Sequence, residues 1–150
     1  MPTTGTPKKH RPRSKVAVQR AVAAAPSVRL LRRCALAAAH PGSEVTLRVV
    51  GTAEARRLNA RYRGNSRATN VLSFAYDRRR GDVVLCHAVI KREAKVRRKS
   101  LAAHYAHLVV HGMLHLRGYR HMRKRDAARM ERAEIRILLR LGYGNPYVPG

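Results

Sequence analysis

Apolar positions alternate over residues 15–22 (Val16, Val18, Val22) and more regularly over 44–50 (Val45, Leu47, Val49), the period of a half-buried strand. Short apolar runs at 71–76 and 82–86 predict two more strands, the second apolar enough to be buried on both faces. An Arg-rich turn at 77–81 separates them. Elsewhere the spacing turns helical. One helix is expected over 28–39, with Ser27 as its N-cap and Pro41-Gly42 as its stop. Another is expected over 53–62, capped by Thr52 and ended near Gly64-Asn65. The second half predicts helices over 89–98, 101–116 and 122–141, closed by Gly118 and Gly142 in the last two cases. The middle one carries few charges and is expected to be central and buried. Strands interleaved with helices, without repeats or a linker, argue an α/β fold: a single domain with a mixed sheet of about four strands packed with helices.

Composition narrows the partners. At 150 residues the chain suits one domain, and 45% apolar residues exclude disorder along its whole length. No run is long and apolar enough to span a bilayer, so no membrane partner is expected. The basic N-terminus lacks the hydrophobic region and cleavage site of a signal peptide. Cys34 and Cys86 form neither a CxxC pair nor a disulfide framework and read as buried thiols in a reducing cytoplasm.

Charge changes the picture most. Lys and Arg number 33 against 8 Asp and Glu, a net +25. Such a field attracts polyanions, nucleic acid first and an anionic membrane surface second. The basic residues cluster at Arg56, Arg57, Arg61, Arg63 and Arg67, along 91–99, and along 117–140. Residues 1–14 read as a flexible basic arm, a phosphate grip or a solvated tail, ahead of a domain over 15–150. With one Phe and six Tyr, base stacking is limited and weak sequence preference is expected.

The candidate chemistry lies in His111-Gly112-Met113-Leu114-His115-Leu116-Arg117-Gly118-Tyr119-Arg120-His121. His111 and His115 stand four apart and share one face of the predicted helix. Gly118 lets the chain turn back so that His121 reaches the same point. Three imidazoles on a buried helix and the turn after it suit Zn²⁺ with a fourth position open to water, whose pKa falls to about 7. That is a hydrolase centre. Metzincin proteases share the HxxxHxxGxxH spacing, but they need a Glu after the first His, where this chain has Gly112. A peptidase is therefore disfavoured. His104 and His107 fall on the same side of the helix, either behind the ligands, on a substrate-facing rim, or as ordinary buried polar residues. Glu134 falls on the apolar stripe of the last helix, paired with a buried Arg or His or simply solvated.

At this point the chain resembles the bacterial YbeY family of rRNA-maturation endoribonucleases. The match runs through Glu44–Val50, Leu58-Asn59 with Tyr62-Arg63-Gly64, Thr69-Asn70-Val71-Leu72-Ser73-Phe74, Gly81–Cys86, Ala103–Leu108 with the histidine motif, Met130-Glu131, Glu134, and Leu141-Gly142-Tyr143 with Pro146-Tyr147. It covers roughly residues 15–148 in the family's order. The resemblance implies a mixed α/β fold and one zinc per chain held by His111, His115 and His121. It also implies metal-dependent cleavage of single-stranded RNA, with roles in maturing the 16S rRNA 3′ end and in ribosome quality control. Arg63 matches the family's functional arginine, a fork fitted to the scissile phosphate. Catalytic roles are thus expected for Arg63, His111 and His115. The small ribosomal subunit and ribosomal or assembly-factor proteins are the expected partners of a cytoplasmic monomer.

This chain departs from the family in one telling place. The usual GYDH is here Gly118-Tyr119-Arg120-His121, so a cation replaces a carboxylate beside the third ligand. Arg120 either weakens the metal and the catalysis or strengthens a phosphate contact. The rival reading is an RNA-binding or ribosome-binding assembly factor with weak or no nuclease activity.

Overall fold

Four strands and five helices form among the described residues of the computed structural model, which are 12–63 and 69–149. In chain order they are β1 (Lys15–Arg20), α1 (Val28–Ala38), β2 (Glu44–Val50), α2 (Thr52–Arg63), β3 (Val71–Ala75), β4 (Arg80–Cys86), α3 (His87–Val96), α4 (Leu101–Leu116) and α5 (Lys124–Arg140). Apart from Pro12–Ser14, the expected N-terminal arm lies outside the described residues.

The strands make one mixed sheet in the order β1-β2-β4-β3. β1 pairs with β2, and β2 with β4, in parallel; β3 and β4 form an antiparallel hairpin across the Arg-rich turn. Asp77 closes that turn by accepting from the backbone N–H groups of Arg79 and Arg80, each at 2.8 Å. The placement of β4 inside the sheet explains its run of apolar residues. Val83 and Leu85 enter the main core, while Val84 and Cys86 face a smaller cluster with Val50, Ala55 and Leu72.

Ser27 caps α1 as expected, accepting from the Leu30 N–H at 3.2 Å. Several boundaries differ from the pattern. Thr52 opens α2 instead of capping it. α3 starts at His87, straight out of β4, earlier than its first apolar periodic residue, Val89. α5 begins at Lys124, because Met122 stays on the loop and is 90% exposed.

Helix α4 is buried along most of its length and occupies the main core with α1, α5 and the sheet. Gly112 makes its closest approach to the sheet. A Cβ there would stand 2.7 Å from Val83 Cγ1 and 3.2 Å from Val71 Cγ2. The Ser73 hydroxyl donates to the Gly112 carbonyl at 2.9 Å and fastens helix to hairpin. The functional face of α4 is therefore held in fixed relation to β3.

Candidate metal centre

Helix α4 ends in a Schellman arrangement that builds the site. Gly118 takes a positive φ of 91°, open to glycine without strain. Its N–H donates to the His115 carbonyl at 3.0 Å, and the Tyr119 N–H donates to the Leu114 carbonyl at 3.1 Å. The chain is thereby turned back along the helix, and His121 returns to the level of His115. The Tyr119 carbonyl, turned inward, accepts from His115 Nδ1 at 2.9 Å.

The three predicted histidines converge. His115 Nε2 lies 3.0 Å from His111 Nε2 and 3.0 Å from His121 Nδ1. A carbonyl oxygen only accepts, so His115 carries its proton on Nδ1 and leaves Nε2 bare. His111 Nδ1 lies 3.0 Å from Glu134 Oε1, and that carboxylate fixes the same tautomer. Two bare nitrogens thus face each other at hydrogen-bond distance with no hydrogen to share. A cation resolves the conflict. Three nitrogens around a tetrahedral ion with bonds of about 2.0–2.1 Å stand about 3.3 Å apart; two separations here are 3.0 Å, and all three ligand atoms lie within 4.8 Å of one another. The neutral form needed for ligation is favoured at His115, where burial, helped by the neighbouring His111, lowers the pKa to about 4.

Behind this trio lies a second cluster. Glu134, 1% exposed, presents Oε1 to His111, while Oε2 faces His107 Nε2 at 2.5 Å and the Tyr147 hydroxyl at 2.7 Å. Burial alone would raise the Glu134 pKa, but hydrogen bonds from His107, His111 and Tyr147 bring it down to about 2. His107, His111 and Glu134 also lie close enough to form a metal-binding group. There, however, the carboxylate satisfies the N–H groups, whereas the first trio leaves lone pairs facing one another. Of the alternatives for Glu134, the buried histidine is the partner found.

His104 is also buried and bonds Glu93 at 2.9 Å. Glu93 in turn accepts from the Asn70 side-chain amide at 3.1 Å. Neither His104 nor His107 lines the groove in front of the trio; both line a separate small cleft. The Cys34 thiol, buried and pushed up to about 11 by that burial, is no nucleophile. Arg63 is the last residue of α2, and its side chain lies outside the described residues.

A groove of about 820 Å³ opens in front of the histidines, with Asn59, Asn70, Ser73, Arg120 and Met122 among its walls. Asn70 and Ser73 come from the TNVLSF stretch, whose role in the groove no spacing rule reveals. What links them to the site is the β3–α4 packing. Arg120 also faces a shallower depression with Arg117 and Arg129. Among the described residues that line the groove, Arg120 brings the guanidinium, and His111, His115 and His121 line it as well.

An α/β domain with a three-histidine centre that opens on a groove is the class of protein that fold and site define. The family model for "Endoribonuclease YbeY" matches residues 11–142. The Endoribonuclease YbeY of Aromatoleum aromaticum is 53% identical over 138 residues, covering 87% of this chain and 90% of that protein. That of Nitrosomonas eutropha is 48% identical, covering 82% of this chain and 89% of its own. The solution structure of TM1509 from Thermotoga maritima superposes with a TM-score of 0.58 at 18% identity, covering 89% of this chain and 99% of that one. The chain belongs to the Endoribonuclease YbeY family.

Proposed function

We propose that the protein is a zinc-dependent endoribonuclease that cuts single-stranded RNA in 16S rRNA 3′-end maturation and ribosome quality control. Family membership supports the nuclease activity on RNA. The observation that carries the metal dependence is the pair of bare Nε2 atoms of His111 and His115 at 3.0 Å. His111, His115 and His121 would hold the ion. When bound, zinc supplies Lewis acidity toward a phosphoryl oxygen and makes a water more acidic.

The chain's own residues do the rest. Glu134 and the Tyr119 carbonyl orient two of the imidazoles. Arg120 supplies positive charge in the groove and, with Arg117 and Arg129, in the adjoining depression, a path for successive phosphates. Arg63, which the family resemblance marks as functional, grips the scissile phosphate and the charge that develops on it. The working unit is the domain over 15–150, with residues 1–14 as a basic arm. Its setting is the cytoplasm, and it acts as a monomer on the small ribosomal subunit with ribosomal or assembly-factor proteins. Among the described residues no helix is long and apolar enough to cross a membrane.

Metal analysis of the purified protein and of His115→Ala tests the ligand set. The parent is expected to hold one zinc per chain and the mutant none. Full occupancy in the mutant would overturn the assignment. A second reading, an assembly factor with little nuclease activity, draws on Arg120, a cation next to His121. Under it, Arg63→Ala would leave biological complementation intact.

A further inference from the structure

Among the described residues, Glu134 is the most deeply buried charged side chain, and no Lys or Arg there pairs with it. Three groups from two parts of the chain converge on its two oxygens: His111 and His107 from α4, and Tyr147 from the segment after α5. All three are donors. Only an ionised carboxylate accepts all of them; an amide of the same shape offers one acceptor oxygen and two hydrogens that oppose the donors. The same His111 ring that gives Nδ1 to Glu134 presents its other nitrogen, Nε2, to His115 on the far side.

We propose that Glu134, clamped by His107 and Tyr147, is a positioning residue of the metal centre. It holds the His111 ring in the tautomer and orientation that present Nε2 to the ion. Through it the C-terminal segment becomes part of the metal site. Lys99, which donates to the Val148 carbonyl at 2.6 Å, and the Tyr147 ring, set edge-on to His107 with centroids 5.3 Å apart, seat that segment. Tyr147 touches no ligand. It acts on the metal only by keeping Glu134 Oε2 occupied, so that Oε1 stays on His111. This inference rests on the zinc reading above.

The test is zinc affinity, measured by competition with a chromophoric chelator, for the parent, Glu134→Gln, Glu134→Asp and Tyr147→Phe. Melting of each metal-free protein controls for folding, and the visible spectrum of the Co²⁺ form reports ligand geometry. Glu134→Gln is expected to lose about 10–100-fold in zinc affinity, with an altered Co²⁺ spectrum. Glu134→Asp, keeping charge and two oxygens, should recover part of that loss. Tyr147→Phe keeps the ring and removes one donor, and should lose about tenfold. Zinc affinity within twofold of the parent in a folded Glu134→Gln overturns the proposal. Should Glu134→Gln fail to fold, the same result for Tyr147→Phe overturns it. A parent that binds no zinc would instead overturn the metal reading itself, and this inference with it.

Discussion

Gly112 lies against Val83 so closely that a Cβ on it would sit 2.7 Å from Val83 Cγ1, inside the distance real Cβ atoms keep. Val83 is fully buried in β4 and has nowhere to move. The residue after the first histidine therefore points into the helix–sheet contact, against Val83, Ser73 and Val71. This is why the HxxxHxxGxxH spacing occurs here without the glutamate that a metzincin protease uses as base. Gly112→Ala should destabilise the fold by about 1–3 kcal/mol, as overpacking does. Thermal or denaturant melting checks this; an unchanged midpoint would show that α4 can lift off the sheet freely. Gly112→Glu should fail to fold and should not create a peptidase.

Stability should fall in acid, and the sign is the same from both perturbed groups. His115 is held near 4 in the native state, against 6.5 for a free imidazole. Between those values the unfolded chain binds a proton that the folded chain refuses, so stability drops as pH falls from 6.5 toward 4. Glu134, lowered to about 2 from 4.5, stabilises the fold above 4.5 and loses that effect as pH falls toward 2. Metal-free protein should melt at a lower temperature at pH 4.5 than at pH 6.5. Zinc affinity should fall in the same direction, since proton and ion compete for Nε2.

Arg120 separates two consequences of one charge. Replacing it by the family's usual carboxylate, Arg120→Asp, should tighten zinc binding, because a cation beside the ion is removed and an anion installed. The same change should weaken RNA binding and lower the slope of log affinity against log salt by about one phosphate contact. Equilibrium binding of a short single-stranded RNA across a salt series checks the second half. An unchanged slope would place Arg120 off the RNA path.

Much of this was legible in the sequence because its signals are local. Period-two alternation set β2, the Ser27 cap set the start of α1, and Gly118 announced the turn that returns His121 to His115. Strand order was not legible: nothing local says that β4 inserts between β2 and β3, since that choice depends on pairing across the chain. The role of Gly112 was likewise hidden, because an absent side chain means little until its neighbour Val83 is placed. Glu134 stood out as an acid on an apolar stripe, yet its partners His107 and Tyr147 come from segments whose approach only the fold defines. Glu93 gave no signal, and neither His104 nor Asn70 announced it as the partner that joins α3, α4 and the start of β3.

Arg63 is expected to act on the scissile phosphate and not on folding or metal binding. Arg63→Ala should leave melting and zinc content unchanged while lowering the cleavage rate by about 10²–10³, the usual cost of losing one such charge-stabilising donor. Single-turnover cleavage with excess enzyme separates that loss from weaker RNA binding. A rate within a few-fold of the parent would remove Arg63 from the reaction.

The most direct test of the account is cleavage of a short fluorescent single-stranded RNA by the parent and by His115→Ala, purified side by side. The pairing matters because a protein of net charge +25 carries RNA and contaminating nucleases through purification. The account predicts cleavage by the parent alone, abolished by a chelator and restored by zinc. Equal cleavage by both proteins, or none by either while both still bind the RNA, would contradict it.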